Sequence, residues 1–260
     1  MEDMVDLKCA TALVTGAGQG VGRAIAMMLA RHNSGTVVVN DYFEDRAKAV
    51  VSEIEALGGR AIAAQGDVTN LDDLKRIVAD ATAAIGPIGI LVNNAGNMGP
   101  AGVVRSKPFW EQEPDEWDLS IRVNLYGVMN AVRAVLPGMI AAQQGVIVTI
   151  VSDAGRVGEP RLEAYSGAKA GAAGFMRAIA KSAGRYNVRA NCIALSATKT
   201  PTIQVDEESD IGKRMLAPYI IRRFGEPEDA ARMAVFLASD ASSWVTGQTY
   251  PVNGGYALAV

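Results

Sequence analysis

Tyr165 and Lys169, four residues apart, have the spacing in this sequence that best suits catalysis. They lie near the start of an alanine-rich stretch, residues 163–185, that is typical of a helix, so both side chains share one helical face. A free tyrosine titrates near ~10, but an ammonium ~4 Å away contributes up to about 4 kcal/mol at an effective dielectric of ~20, or roughly three pKa units. A phenol made acidic in this way can take the proton of an alcohol and return it to a ketone oxygen, so Tyr165 is a candidate general acid and base.

Two further polar residues, Ser152 and Asn124, complete the candidate catalytic group. Ser152 closes an apolar run in Ile150-Val-Ser-Asp-Ala-Gly155, and its hydroxyl could hold a substrate oxygen beside Tyr165. Each residue also has an ordinary interpretation. A tyrosine and a lysine four apart are common on helices, Ser152 suits a turn, and Asn124 could make a local hydrogen bond inside a helix.

A glycine-rich turn, Thr15-Gly-Ala-Gly-Gln-Gly-Val-Gly-Arg23, follows the first apolar run. Without Cβ atoms this backbone can approach a pyrophosphate, whose charge is favoured by exposed N–H groups and by the dipole of the next helix. The strict Gly-x-Gly-x-x-Gly fingerprint does not fit, and the related spacing found here could also be a tight connection. The turn indicates a dinucleotide site whose expected contacts are Gly16, Gln19, Gly20, Val21 and Gly22.

The second apolar run ends in an acidic residue, Asp41. A carboxylate at this strand end can accept both ribose hydroxyls of NAD and would repel the extra phosphate of NADP. Tyr42 and Phe43, which follow, offer no cation to that phosphate, although Arg46 is near. Asp41 could instead cap the helix that begins near Glu44. The sequence therefore favours NAD as the cofactor.

Short apolar runs alternate with longer helical stretches along the whole chain. Such runs are typical of strands that crossover helices bury on both faces, so the pattern predicts a doubly wound α/β fold with a mostly parallel seven-stranded sheet. At 260 residues the chain fits one domain, residues 1–260, in which residues 196–224 would form a mobile substrate lid. The predicted strands are 10–15, 36–40, 60–64, 88–92, 146–150, 188–193 and 248–252, and the last helix is predicted over 227–238.

The composition and charge of the chain exclude some classes of binding partner. A net charge of -3 with dispersed Lys and Arg provides no basic face for a nucleic acid. The acidic start of the chain lacks the pattern of a secretory signal, and we expect no apolar run long enough to span a membrane. These features indicate a cytoplasmic enzyme whose partner is a small alcohol or ketone, while Cys9 and Cys192 are expected in the core.

Taken together, the motifs resemble the short-chain dehydrogenase/reductase family. The resemblance extends over almost the whole chain, in one order: Thr15-Gly, Asn93-Asn-Ala-Gly96, Asn124, Ser152, Tyr165-Ser-Gly-Ala-Lys169, Asn191, Gly247-Gln and Asn253-Gly-Gly255. It implies an NAD-dependent enzyme that interconverts a secondary alcohol and a ketone. Members are commonly tetramers, joined through the helices that would begin near residues 114 and 163 here, so a homotetramer is expected.

The resemblance also implies a role for each site residue. Tyr165 is the acid or base, and Lys169 both lowers its pKa and holds the nicotinamide ribose. Ser152 orients the substrate oxygen, and Asn124 supports a water-linked proton path. The remaining contacts lie after the third and fourth strands, with Asp67 and Val68 against the adenine, Asn94 against the neighbouring ribose, and Ala95 and Gly96 in the same cleft.

The chain departs from the family pattern after the sixth strand, where Leu195-Ser196 replaces the usual Pro-Gly. Thr198 and Thr200 still occupy positions that could bind the nicotinamide carboxamide, so we expect cofactor binding with a locally altered loop. Residues 97–113 are longer than the family pattern, and Phe109 and Trp110 could line the substrate pocket or pack the insertion. Arg156 and Arg161 could meet a substrate carboxylate or phosphate, but solvated loop arginines are the favoured interpretation.

Two alternatives remain open. The first is an NADP-dependent reductase of ketones or 3-oxoacyl thioesters, against which Asp41 argues. The second is a catalytically inactive nucleotide-binding regulatory protein, against which the four catalytic candidates argue. The lid mixes apolar and charged residues and suits sugars, steroids, cyclic alcohols or acyl thioesters, so the sequence does not identify the substrate.

Overall fold

The computed structural model describes residues 4–97, 107–201 and 205–258, and within them seven strands form one parallel sheet in the order β3-β2-β1-β4-β5-β6-β7. This confirms the predicted doubly wound fold, and all the strand pairs are parallel rather than most of them. The observed strand ends differ from the predicted ones by at most two residues. The strands are β1 Thr11–Val14, β2 Val37–Asp41, β3 Ala61–Gln65, β4 Ile88–Asn93, β5 Gly145–Ser152, β6 Val188–Leu195 and β7 Thr249–Val252.

Helices connect the strands and cover both faces of the sheet. Residues of α1, α2 and α9, such as Ile25 and Leu237, bury one face, and residues of α3, α5 and α7, such as Leu74 and Met139, bury the other. Each such side chain contributes about 1.5–3 kcal/mol when fully buried. The helices are α1 Gly20–Arg31, α2 Glu44–Ala56, α3 Leu71–Ile85, α4 Pro114–Ile121, α5 Gly127–Ala142, α6 Ala154–Val157, α7 Glu163–Ala183, α8 Asp210–Leu216 and α9 Pro227–Ala238.

Side-chain caps define where several helices begin. The Asn70 side chain accepts two backbone N–H groups at the start of α3. Helices α4 and α9 each begin with a proline and a reciprocal capping box, formed by Glu113 with Glu116 and by Glu226 with Asp229. Local sequence therefore determines these helix starts.

The order of the strands reverses between β1 and β4, which are neighbours in the sheet. One half of the chain builds outward from β1 to β3, and the other builds outward from β4 to β7. At such a reversal the connections after the strands leave in opposite directions, and a crevice opens at the carboxyl ends. The glycine-rich turn after β1 and the Asn93-Asn-Ala-Gly96 segment at the end of β4 border this crevice.

The helical stretch Pro114–Ala142 is long and apolar enough to span a membrane, by length and composition alone. The expectation that no run reaches this length is therefore wrong. The reason is structural, because the side of this helix that packs in the core needs apolar residues, although only 33% of its most apolar part is buried. Val128, Val132 and Met139 of this stretch pack in the core on one face of the sheet.

Candidate active site

Three of the four catalytic candidates lie together where β5 ends and α7 begins. Lys169 is 4% exposed, and its ammonium donates a hydrogen bond of 2.9 Å to the carbonyl oxygen of Ile150 in β5. The same nitrogen is 5.8 Å from the centre of the Tyr165 ring. Ser152 ends β5, and its hydroxyl lies next to the Tyr165 phenol. The sequence spacing on α7 thus brings the pair to one place, as expected.

Burial changes the pKa of both titratable groups. It raises the pKa of Tyr165, and the nearby Ser152 hydroxyl opposes this without cancelling it. Burial also lowers the pKa of Lys169 from 10.5 to about 8. The expected direction for Tyr165 is therefore wrong, because loss of hydration acts on the phenol more strongly than the lysine, whose ammonium is directed to Ile150.

Asn124, the fourth candidate, lies in a π-helical turn, Arg122–Tyr126, between α4 and α5. It is fully buried, and its side-chain nitrogen donates to the carbonyls of Asn97 at 2.7 Å and Ser120 at 2.9 Å. Its Oδ1 atom is buried with no hydrogen-bond partner among the described residues. Single π turns within helices are frequent at functional sites, and here the turn helps place an unpaired acceptor in the interior.

Gly96 connects Asn124 with Lys169. A Cβ atom on Gly96 would stand 2.7 Å from the Asn124 Oδ1 and 3.1 Å from the Lys169 Nζ. A side chain at this position would push the unpaired acceptor and the ammonium aside, so this close approach requires glycine.

The glycine-rich turn after β1 and the segment after β4 hold each other in place. The Asn94 side chain donates to the carbonyls of Thr15 at 3.0 Å and Gly16 at 2.9 Å, and the Thr15 hydroxyl accepts the N–H groups of Asn94 and Ala95, both at 3.1 Å. Gly16 has a φ of +60°, and a Cβ there would lie 2.8 Å from the Ala95 Cα. Only glycine therefore fits where the turn after β1 passes the segment after β4. Sequence reasoning left Thr15 out of the contacts, although its position in the Thr15-Gly motif was the available signal.

Asp41 joins the end of β2 to the same turn. Its carboxylate, 6% exposed, accepts the N–H of Gly18 at 2.9 Å and that of Phe43 at 3.0 Å. A Cβ on Gly18 would lie 2.6 Å from the nearer carboxylate oxygen, so the glycine makes room for Asp41. The N-cap of α2 is Phe43, so the alternative that Asp41 occupies that position is wrong. Gly18 was not among the expected contacts.

Asp67 and Val68 follow β3 at the same edge of the sheet. The Asp67 carboxylate accepts the N–H of Thr69 at 2.8 Å and thereby orders its own turn. Val68 is 7% exposed, and its carbonyl accepts a hydrogen bond of 2.9 Å from the Asn130 side chain. A Cβ on Gly127 would lie 2.8 Å from a Val68 methyl group, so α5 approaches Val68 closely.

Thr198 and Thr200 lie on the loop after β6. Thr198 is 8% exposed, and its hydroxyl donates to the carbonyl of Ser196 at 3.1 Å. The Thr200 methyl group stands 3.4 Å from where a Cβ on Gly20 would be. With its φ of +54°, Gly20 takes a conformation that favours glycine at the start of α1. The altered loop thus reaches the dinucleotide turn.

Arg156 is neither solvated nor available to a substrate. Its side chain is 21% exposed and pairs with the Asp153 carboxylate at 2.5 Å. It also donates to the carbonyls of Ala257 at 3.4 Å and Leu258 at 3.2 Å. The favoured interpretation of a solvated loop arginine is therefore wrong for Arg156, because a buried carboxylate next to Ser152 requires a cation. Arg161 is exposed, as that interpretation predicted.

The described end of the insertion packs against α4. Phe109 stacks on Trp117 with ring centres 5.1 Å apart, whereas Trp110 is 83% exposed. Phe109 also lines a cavity of about 400 Å³, and none of the four catalytic candidates lines it. Phe109 therefore packs the insertion and is not beside Tyr165. Residues 98–106 of the insertion lie outside the described residues.

The polar groups at this edge fit a nicotinamide dinucleotide. The turn at Gly16 and Gly18 has no room for a Cβ, which is how a backbone cradle for phosphate is built. A buried carboxylate lies at the end of β2, and a buried unpaired oxygen lies beside Lys169. Within the described residues, no group of three or more His, Cys, Asp or Glu could hold a metal ion.

Similar proteins extend over nearly the full length of the chain. A family described as enoyl-(acyl carrier protein) reductase matches residues 16–257. The 3-oxoacyl-[acyl-carrier-protein] reductase of Staphylococcus epidermidis is 34% identical over 245 residues, which are 94% of this chain and 98% of that protein. The 7α-hydroxysteroid dehydrogenase of Escherichia coli is 37% identical over 251 residues, which are 96% of this chain and 94% of that protein.

Solved structures agree with this similarity. A 7α-hydroxysteroid dehydrogenase complexed with NADH and 7-oxo glycochenodeoxycholic acid has a TM-score of 0.90 at 36% identity, covering 98% of this chain and 97% of that one. A gluconate 5-dehydrogenase from Burkholderia cenocepacia in complex with NADP and tartrate has a TM-score of 0.90 at 32% identity, covering 99% of each chain. The resemblance found in the sequence is confirmed, and this oxidoreductase belongs to the short-chain dehydrogenase/reductase family.

Proposed function

We propose that the protein is an NAD(H)-dependent enzyme that interconverts a secondary alcohol and a ketone. The observation that carries the proposal is the grouping of Ser152 and Tyr165 with the buried Lys169, at the edge of the sheet where a dinucleotide would bind. A bound nicotinamide supplies or accepts the hydride. The chain's own residues then have to bind the substrate oxygen and move one proton.

Tyr165 is proposed to hold that proton at its phenol oxygen. Because burial raises its pKa, the phenol is neutral near pH 7, which is the form that donates to a ketone oxygen. The Ser152 hydroxyl, next to Tyr165, can hold the same substrate oxygen and orient it. Lys169 and Asn124, whose polar atoms both lie close to Gly96, would relay the proton through a water.

The cofactor contacts are also proposals. Asp41 would accept the adenosine ribose hydroxyls, and the backbone of the turn from Gly16 to Gly22 would bind the phosphates. Asp67 and Val68 would contact the adenine. Asn94 would contact the neighbouring ribose, with Ala95 and Gly96 in the same cleft, and the nicotinamide end would meet Lys169, Thr198 and Thr200.

NAD is favoured over NADP by the charge at the end of β2. Two backbone N–H groups hold the Asp41 carboxylate in place at the strand end, where its negative charge would repel a 2′-phosphate. Relatives of similar identity have been crystallised with NADH and with NADP, so the choice depends on such local residues. Titration of the purified protein with NADH and with NADPH, followed by nicotinamide fluorescence, tests the proposal. Tighter binding of NADPH would refute it.

The second candidate is an NADP-dependent reductase of 3-oxoacyl thioesters. It is supported by the 34% identity to a 3-oxoacyl-[acyl-carrier-protein] reductase over 98% of that protein. Turnover of a panel of secondary alcohols with NAD, against an acetoacetyl thioester with NADPH, separates the two. Faster turnover of the thioester would favour the second candidate.

We further propose a cytoplasmic homotetramer of single-domain chains, each with a lid at 196–224. Support for assembly comes from the apolar helix Pro114–Ala142, because only 33% of its most apolar part is buried within the chain. The residues Gly167 and Ala164 of α7 lie beside it along the same cavity, where small side chains would permit close packing of a second copy. Sedimentation velocity of the purified protein tests this, and a monomer at micromolar concentration would exclude it.

A further inference from the structure

The loop after β6, residues 196–201, is bound to a tyrosine from farther along the chain. The Ser196 hydroxyl forms a hydrogen bond with the Tyr219 hydroxyl. The same phenol oxygen accepts the backbone N–H of Ala197 at 3.0 Å. The Tyr219 hydroxyl is therefore hydrogen-bonded to two consecutive residues at the point where the loop leaves the sheet.

Tyr219 is itself held firmly. It is 6% exposed and lies in a small apolar cluster with Leu216 and Phe224. Its ring is 5.1 Å from the ring of Tyr256, and a Cβ on Gly254 would stand 3.3 Å from its edge. A buried aromatic ring with neighbours on several sides has little freedom, so its hydroxyl is a fixed point for the loop.

The middle of the loop, residues 197–199, pairs with the backbone at Gly225. The Gly225 N–H donates to the Ala197 carbonyl at 3.0 Å, and the Lys199 N–H donates to the Gly225 carbonyl at 2.8 Å. Thr198 lies between these two bonds and forms an isolated parallel bridge with Gly225. The orientation of Thr198 therefore depends on contacts before and after it.

We propose that Tyr219 is a positioning residue for the nicotinamide end of the cofactor site. Its hydroxyl holds the loop 196–201 in the conformation that presents Thr198 and Thr200 to the cofactor. The inference rests on the proposed function, which assigns those threonines to the nicotinamide carboxamide. Without the hydroxyl the loop populates other conformations, and apparent affinity falls in proportion to the fraction of loop that remains competent.

The test compares two ligands on the full chain by isothermal titration calorimetry. NADH needs the loop at its nicotinamide, whereas ADP-ribose has the same adenosine, phosphates and second ribose but no nicotinamide. Tyr219→Phe removes one oxygen and keeps the ring in place. We expect it to raise the Kd for NADH roughly ten-fold, since two hydrogen bonds are lost, and to change the Kd for ADP-ribose less than two-fold.

Tyr256→Phe is the matched control. It removes the hydroxyl of the other ring in the pair, whose hydrogen bond of 3.0 Å goes to Glu159 and not to the loop. Both dissociation constants should stay within two-fold of the wild-type values. Ser196→Ala removes one of the two loop contacts and should give a smaller rise for NADH alone, which keeps the test open if Tyr219→Phe does not fold.

An unchanged Kd for NADH in Tyr219→Phe would overturn the inference. Equal losses for NADH and ADP-ribose would also overturn it, because they would show a general structural role. A wild-type protein that binds NADH no more tightly than ADP-ribose would instead contradict the proposed function. The two failures are therefore distinguishable.

Discussion

The crevice has a dinucleotide end, at the glycine-rich turn and Asp41, and a catalytic end, at Asn124, Tyr165 and Lys169. The two ends differ in how the polar side chains are hydrogen-bonded. At the dinucleotide end the side chains of Asp41, Asn94 and Thr15 all bond to backbone N–H or carbonyl groups of the glycine-rich turn or the segment after β4. These bonds connect β1, β2 and β4 and are complete within the chain. The region is preorganised, and its shape follows from its own hydrogen bonds.

At the catalytic end the polar groups are buried with their bonding incomplete or their titration displaced. Asn124 has an unpaired oxygen, the pKa of Tyr165 is raised, and the pKa of Lys169 is lowered to about 8. Such groups destabilise the fold and are available to a reacting molecule. The comparison teaches that hydrogen bonds within the chain place the glycine-rich turn, whereas the catalytic groups are distinguished by their shifted pKa values. Unpaired buried oxygens alone do not mark the chemistry, because Asn40 and Asn93 at the dinucleotide end also have them.

Removal of the Tyr165 hydroxyl should produce the largest effect and should separate the two ends. Tyr165→Phe is expected to lower turnover about a thousand-fold, because proton transfer to the substrate oxygen is lost. Binding of NADH, followed by nicotinamide fluorescence, should remain within two-fold of wild type, since the dinucleotide end is untouched. Tyr186→Phe, in a short helix after α7, serves as the control. Retained turnover in Tyr165→Phe would contradict the role of Tyr165 as general acid and base. Absence of turnover in the wild-type protein would favour a regulatory protein.

Lys169 should destabilise the protein in a pH-dependent manner. Below about pH 8 both the folded and the unfolded protein hold the proton, and folding has to bury the charge. Between about pH 8 and 10.5 the unfolded chain holds more protons, so stability rises with pH. Lys169→Met should therefore be more stable than wild type by about 3 kcal/mol at pH 7, and the difference should shrink towards pH 10.

Urea denaturation at several pH values measures this difference. Lys181→Met provides the control, because Lys181 is an exposed residue on the same helix, and it should show no such pH dependence. A gap between Lys169→Met and wild type that stays constant from pH 7 to pH 10 would contradict the burial of a charge.

The comparison also shows which features the sequence could predict. Strand ends and motif residues depend on local patterns, so the fold, the position of Asp41 and the grouping of Tyr165 with Lys169 were all expected. The direction of the Tyr165 pKa shift depends on how much water the whole fold excludes, which spacing along one helix does not contain. Two of the three partners of Arg156, the carbonyls of Ala257 and Leu258, lie about a hundred positions away in the sequence.

Removal of the charge on Asp41 should affect only the dinucleotide end. Asp41→Asn keeps the shape of the side chain, but its amide has one acceptor oxygen, so it loses one of the two bonds to the backbone N–H groups of Gly18 and Phe43. It also loses the charge that would bind the ribose hydroxyls and repel a 2′-phosphate. We expect the Kd for NADH to rise roughly ten-fold and the preference for NADH over NADPH to fall by more than that. Asp45→Asn, an exposed acid in the first turn of α2, should leave both unchanged. An unaltered preference for NADH in Asp41→Asn would show that residues other than Asp41 determine the choice of cofactor.

The smallest effect concerns Arg46, whose side chain lies beside Gly18 of the glycine-rich turn. The Arg46 guanidinium lies 4.4 Å above the centre of the Phe43 ring, a contact that contributes about 0.5–1 kcal/mol at an exposed site. Phe43→Leu keeps an apolar side chain and removes the aromatic face, so Arg46 is freed to approach a 2′-phosphate. Affinity for NADPH should then rise two- to five-fold while that for NADH is unchanged, and the second substitution Arg46→Met should abolish the gain. A gain that survives in the double variant would show that Phe43 acts through its bulk and not through Arg46.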